Sequence, residues 1–161
     1  MATPALLDQV RIEPGTADRI DEVMTVMDGA FGDKFGEAWT RSQLAGILPM
    51  GGVVLSIASD SKSEKAIGFS LLRSVADEAE LLLLAVLPDR HRQGIGGRLL
   101  DHFIREAELG GVTRIHLEVR DGNPAVEMYR NAGFEPVGRR RNYYQAADGA
   151  RYDAITFAKN L

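Results

Sequence analysis

At 161 residues and a net charge of −4, the chain can fill one good core and offers no global attraction to nucleic acid or an anionic membrane. Apolar residues at 45% and charged residues at 26% exclude a disordered chain. The absence of cysteine removes disulfides, thiolate metal sites and a cysteine nucleophile together, and it fits a reducing compartment.

Met1 to Val10 lacks a basic n-region and a sustained apolar run, so no signal peptide is expected. The longest apolar run, Leu81 to Leu87, falls far short of the roughly 20 residues that span a bilayer. A cytoplasmic protein with one domain over residues 1–161 is expected, since no repeat, low-complexity segment or linker divides the chain.

The first strand is expected at Val10 to Ile12. Thr16 then caps a helix whose apolar residues Ile20, Val23, Met24, Met27 and Phe31 recur at helical spacing. Phe31 to Ala38 reads as a loop. Thr40 with Gln43 forms a capping box for a short second helix through Ile47. Gly52 to Ala58 and Ala66 to Arg73 form a hairpin around the polar turn Ser59 to Glu64. Ala79 to Leu87 reads as a strand covered on both faces, broken by Pro88 and Asp89.

From Gly96 the period changes. Leu99, Leu100, Phe103, Ile104 and Ala107 form one helical stripe that ends at Gly110 and Gly111. Thr113 to Arg120 is a strand with Ile115, Leu117 and Val119 on one face and His116, Glu118 and Arg120 on the other. A helix follows from about Asn123 through Ala132, stopped by Gly133. Phe134 to Arg139 and Asp153 to Lys159 are the closing strands, joined by Arg140 to Arg151. The order is βααβββαβαββ, an α+β fold with one central strand–helix–strand unit.

The segment that carries chemistry runs from Leu84 to Leu100. A buried strand enters a tight turn, and Gly94, Gly96 and Gly97 sit where a helix begins. Unpaired N–H groups at a helix start point outward with partial positive charge, and glycines let a phosphate approach them. Arg90, Arg92 and Arg98 add local positive charge, so the turn suits a pyrophosphate. A dinucleotide fingerprint fails because Leu99 stands where its third glycine belongs, and a P-loop fails for want of the lysine and hydroxyl pair. The plain alternative is a glycine-rich turn with solvated arginines. His91, His102 and His116 have no ligand spacing, so no metal is expected.

Arg/Gln-x-x-Gly-x-Gly/Ala after an apolar strand is the coenzyme A signature of the GNAT family of N-acetyltransferases, and His91 to Gly96 resembles it. His91 departs from the arginine or glutamine of its first position, a position partly concerned with supporting the loop. The resemblance covers most of the chain and is strongest from Ala79 to Phe134. It implies a single GNAT-like domain with a mixed, mostly antiparallel sheet of about seven strands and about four helices.

Glu118-Val119-Arg120-x-x-Asn123, followed by Tyr129, Gly133 and Phe134, resembles the bacterial ribosomal-protein-alanine N-acetyltransferases. Arg141-Asn142-Tyr143-Tyr144 adds to that likeness, and Trp39-Thr40 resembles their substrate-side loop more loosely. Two departures stand out. The Asn123–Tyr129 interval is one residue shorter than the usual pattern and contains Pro124, and Leu83 stands where relatives often carry asparagine.

The resemblance implies acetyl-CoA as donor and a protein N-terminus as acceptor, the N-terminal alanine of a small-subunit ribosomal protein; on charge and apolar-run length no nucleic-acid or membrane partner is expected. It implies Glu118 as base and Tyr129 as proton donor. It places the donor against Leu84, Ala85, Val86, Arg92, Gln93, Gly94, Ile95, Gly96, Gly97 and Asn123. Glu80 is a secondary base candidate. The plain alternatives are a surface Glu118 paired with Arg120 or Arg114, and a Tyr129 that simply packs in the core. Arg139-Arg140-Arg141 with Tyr143 and Tyr144 reads equally as a peptide contact or a solvated hairpin edge. A small-amine acetyltransferase and a non-catalytic coenzyme A-binding module remain the rival functions.

Overall fold

The computed structural model describes residues 9–161, so most of Met1 to Val10, read above for a signal peptide, lies outside the described residues. Among the described residues seven strands and four α-helices follow one another: β1 (Val10–Gly15), α1 (Ile20–Phe31), α2 (Arg41–Ile47), β2 (Val53–Asp60), β3 (Ala66–Val75), β4 (Glu78–Val86), α3 (Ile95–Leu109), β5 (Arg114–Arg120), α4 (Ala125–Asn131), β6 (Glu135–Gln145) and β7 (Arg151–Asn160). The sheet order is β1-β2-β3-β4-β5-β7-β6. Among the described strands only β4 and β5 pair in parallel, with α3 as their crossover; every other neighbour is antiparallel. The expected α+β order is the observed one.

Helices cover both faces. On one, Leu100, Phe103 and Ala107 of α3 and Tyr129 of α4 pack on Leu81, Ile115, Leu117 and Phe157. On the other, Val23 and Met27 of α1 and Leu44 of α2 pack on Leu55, Phe69, Leu71 and Leu83. Periodicity located these stripes because each helix hides only one side from water.

The feature that shapes the site is an incomplete pairing. β4 and β5 are in register only from Glu78↔Arg114 to Leu81↔Leu117. Beyond that, β4 continues to Val86 against β3, and β5 continues to Arg120 against β7. The two strands part, and a wedge opens in the middle of the sheet. The parting coincides with a bulge: Leu71 faces Leu83 and Leu72 faces Leu81, which leaves Leu82 as the extra residue. A bulge bends its strand and increases the local twist. It also reverses the alternation, since Leu81 packs under α3 while Leu83 and Ala85 pack under α1.

Two local expectations are corrected. Thr16 does not cap α1. It heads a 3₁₀ turn at Ala17–Arg19, its hydroxyl bonds the Asp18 carboxylate, and α1 begins only at Ile20. The segment from Arg140 is not a loop as far as Arg151, because β6 runs on to Gln145. The run-on strand slips register between Arg140 and Tyr144, and Asn142 takes a left-handed φ of +53° there. The Asp153 carboxylate holds this irregularity by accepting the Asn142 N–H at 2.9 Å. The Thr40–Gln43 capping box is present in both directions, at 3.2 and 2.8 Å.

Phe103 is fully buried between α3 and the sheet. Phe103→Ala is expected to cost about 3–5 kcal/mol, read as a lower urea midpoint at unchanged slope.

Candidate functional site

After β4, a 3₁₀ turn at Pro88–Arg90 leads into the glycine segment, and α3 starts behind Gly94. Arg92 and Gly94 have left-handed φ values of +62° and +78°. Arg98 donates the first backbone bond of the helix, to the Gly94 carbonyl at 3.1 Å. Among the described residues, no backbone N–H from Arg92 to Gly97 has a backbone acceptor. Successive free amides bent by left-handed residues form an anion-binding concavity, and the helix dipole adds to its pull. A Cβ at Gly97 would meet no atom within 4 Å, so packing does not require this glycine. It leaves the helix start open to a ligand.

Side chains brace this loop from below. Arg90 donates to Asp60 at 2.8 Å and to Gln93 Oε1 at 3.0 Å, which ties the turn to the end of β2. The Arg90 guanidinium, with the Lys62 and Ser63 amides, draws the Asp60 carboxyl down to about 2. His91 fills its expected supporting role. Its Nε2 lies 2.8 Å from the Val86 carbonyl, which only accepts, so Nε2 carries the hydrogen.

A cavity of about 770 Å³ extends from this helix start along the exposed edge of β4. Leu84, Ala85, Val86, Arg92, Gly94, Ile95, Gly96, Gly97 and Asn123, the residues against which the resemblance places the donor, all line it. Gln93 does not line it; its side chain is spent on Arg90. The backbone groups of Leu82 to Val86 that point toward β5 have no strand partner, because β5 has already turned away.

A second, smaller cavity of about 110 Å³ is walled by Phe31, Trp39, Glu80, Glu118 and Tyr144 among others. The two cavities share Phe31, Glu37, Leu84, Asn123 and Tyr129, so they meet in the wedge between β4 and β5. Two ligands, one in each cavity, would touch there.

Glu118 points into the smaller cavity, accepts the Thr156 hydroxyl at 2.7 Å and pairs with Arg140 at 3.0 Å. The simpler pairings are not made: Arg114 meets Glu78, and Arg120 meets Glu37. Arg140 thus belongs to the site, and of the basic run Arg139 ties instead to Asp121 and Asp153. Tyr129 is 6% exposed, at the junction. Burial, and secondarily the Glu37 charge, push its phenol well above the ordinary range, so it is protonated at neutral pH. Asn123 reaches the same junction despite the short interval to Tyr129. Its Oδ1 accepts the Ala125 N–H at 2.9 Å, and its Nδ2 donates to Glu37 at 3.0 Å.

Glu37 is the site residue that sequence reasoning missed. It lies in the irregular loop between α1 and α2, where no periodicity marks an inward side chain. Gly36, at φ +74°, lets this loop press on the Gln145 carbonyl, which a Cβ would approach to 2.0 Å. The Arg120 guanidinium stacks 3.6 Å from the Phe35 ring and pairs with Glu37 at 3.4 Å. An acidic residue next to Gly36 and two residues before Trp39 was the available signal.

Residues 21–134 match the model of the acetyltransferase (GNAT) family. The chain belongs to this family. It is 44% identical over 99 residues to the ribosomal protein bS18-alanine N-acetyltransferase of Escherichia coli K12, an alignment that spans 61% of this chain and 66% of that protein, just under two thirds. The crystal structure of the ribosomal-protein-S18-alanine N-acetyltransferase from E. coli superposes with a TM-score of 0.84 at 31% identity over 94% of each chain. Arabidopsis thaliana NAA60 in complex with acetyl-CoA shares the fold, with a TM-score of 0.80 at 18% identity over 94% of this chain and 98% of that one. Among the described residues no group of three or more His, Asp or Glu side chains is placed to hold a metal ion, and no helix is long and apolar enough to cross a membrane.

Because the folded-state pKa of Asp60 is depressed, its pair with Arg90 is intact above the ordinary carboxylate range and is lost as pH falls from about 4 to about 2. At neutral pH, Asp60→Asn is expected to speed amide hydrogen exchange at Arg90 and His91, whose N–H groups bond the Leu87 and Pro88 carbonyls, while the interior of α3 keeps its protection.

Proposed function

We propose that this chain transfers the acetyl group of acetyl-CoA to the α-amine of a protein N-terminus, and that its acceptor is a ribosomal protein beginning with alanine, of the S18 kind named for its E. coli relatives. Such an acceptor places the enzyme in the cytoplasm. The observation that carries this reading is the meeting of two cavities across the parted strands, with the protonated Tyr129 at the junction and Glu118 on the acceptor side.

The residues fit the donor. The free amides from Arg92 to Gly97 and the neighbouring Arg90 and Arg92 receive a diphosphate, and the open edge of β4 receives an extended amide-containing arm. Asn123 closes the junction end of that channel, with its amide held by Glu37 and the α4 start. When bound, acetyl-CoA supplies a thioester already activated toward an amine. Unpaired amides of the Leu84–Val86 stretch hold the carbonyl oxygen as negative charge develops on it.

The acceptor amine needs only a modest base, because an α-amine titrates at about 7.7–8.0 and is partly neutral near pH 7. Glu118, its orientation fixed by Thr156 and Arg140, takes that proton directly or through a water. Tyr129 carries the proton that a departing thiolate of pKa about 8.5 requires. The small volume of the acceptor cavity, about 110 Å³, suits a short first side chain such as alanine.

Glu118→Gln and Tyr129→Phe are each expected to lower kcat by about a hundred-fold or more while calorimetric affinity for acetyl-CoA is kept. Parental turnover in both variants would refute the assigned roles. The acceptor class is tested by mass spectrometry: an alanine-first ribosomal peptide should gain one acetyl group on its α-amine, and a panel of polyamines, amino acids and amine drugs should not. The reverse result would move the assignment to small amines.

A further inference from the structure

Three carboxylates face the acceptor cavity, Glu37, Glu80 and Glu118, and they are not equivalent. Glu118 has Arg140 at 3.0 Å and the Thr156 hydroxyl at 2.7 Å. Glu37 has Arg120 at 3.4 Å and the Asn123 amide at 3.0 Å. Each is compensated from within the fold by a permanent cation and a hydrogen bond. Glu80 has neither. Its one ion-pair partner among the described residues is His116, at 3.7 Å, and its side chain, which lines the cavity, remains 36% exposed. Arg73 stands opposite Glu80 in the β3–β4 register, yet no ion pair joins them.

We infer that Glu80 is a specificity-determining residue, and that it selects acceptors carrying a lysine or arginine side chain immediately after the N-terminal residue. The inference rests on the N-terminal acetylation reading above and adds the acceptor's second residue to it. The placement follows from strand geometry. Glu80 lies level with His116, and His116 is two residues before Glu118 on β5. Two strand residues span about 7 Å, which is also the reach of one residue step plus a long side chain along an extended peptide.

Charge accounting points the same way. A carboxylate with no permanent cation paired to it attracts an incoming cation, and the low-dielectric walls of Trp39, Leu82 and Leu83 strengthen that attraction. Glutamate at the same position of the acceptor would face like charge. His116 does not settle the account, since its Nδ1 is itself buried without a partner and the ring is charged only when protonated. The arrangement also explains why Glu80 need not be a second base: Glu118 occupies the row nearer the junction with Tyr129.

Three peptides that begin Ala-Lys, Ala-Gln and Ala-Glu and are otherwise identical test this, with kcat and KM measured for each in the full-length enzyme. The expected order of kcat/KM is Lys over Gln over Glu, with steps of roughly five-fold carried by KM and shrinking at high salt. In Glu80→Gln the three values should converge, and in Glu80→Lys the order should invert toward Ala-Glu. Unchanged ratios in both variants would overturn the inference. A uniform loss of kcat on all three peptides in Glu80→Gln would overturn it as well and make Glu80 a base. Transfer to none of the three by the parent enzyme would instead remove the N-terminal acetylation reading on which it rests.

Discussion

The architecture turns on the separation of β4 from β5 beyond Leu81 and Leu117. Parallel strands that stay paired would give a sealed sheet with two unconnected faces. By parting, these strands leave backbone groups of β4 without a strand partner and open a passage between the faces. Unpaired backbone groups in a protein interior are costly, so a fold that keeps them exposes them to water or supplies a ligand. Here the cavity that runs along that edge ends at a helix start whose amides are likewise free.

The residues of the two cavities are then positioned by elements that are rigid for other reasons. α3 is held by Phe103 and Leu99, both fully buried, so its N-terminus cannot drift relative to β4. β5 is held along its whole length by β7, which fixes Glu118 and brings Thr156 beside it. α4 is short, yet Tyr129 packs edge-on against Phe134 and is anchored in the core. The α1–α2 loop is pinned by Gly36 at the Gln145 carbonyl and by the Arg120–Phe35 stack, and it closes the junction with Glu37. The two cavities thus share only Phe31, Glu37, Leu84, Asn123 and Tyr129.

Much of this was legible in the sequence because it rests on short-range signals. Helical stripes, the Thr40–Gln43 box and the glycines at 94, 96 and 97 speak through local spacing, whereas Leu84 to Val86 and Asn123 were reached only through the family resemblance. The bulge at Leu82 was silent, since five consecutive apolar residues from Leu81 to Ala85 satisfy either face and conceal a reversal of alternation. The run-on of β6 was hidden by arginines that read as a loop but sit on an exposed edge strand, where side-chain polarity says little about backbone pairing. Glu37 and the Arg140–Glu118 pair join segments far apart in the chain, and no local pattern reports such meetings.

The most direct measurement is an amide chemical-shift titration of the isotopically labelled protein with acetyl-CoA. The account expects saturable shifts concentrated at residues 92–97 and 84–86, with little change in β1 and β2. An absence of saturation at millimolar donor, or shifts confined to another part of the surface, would contradict it.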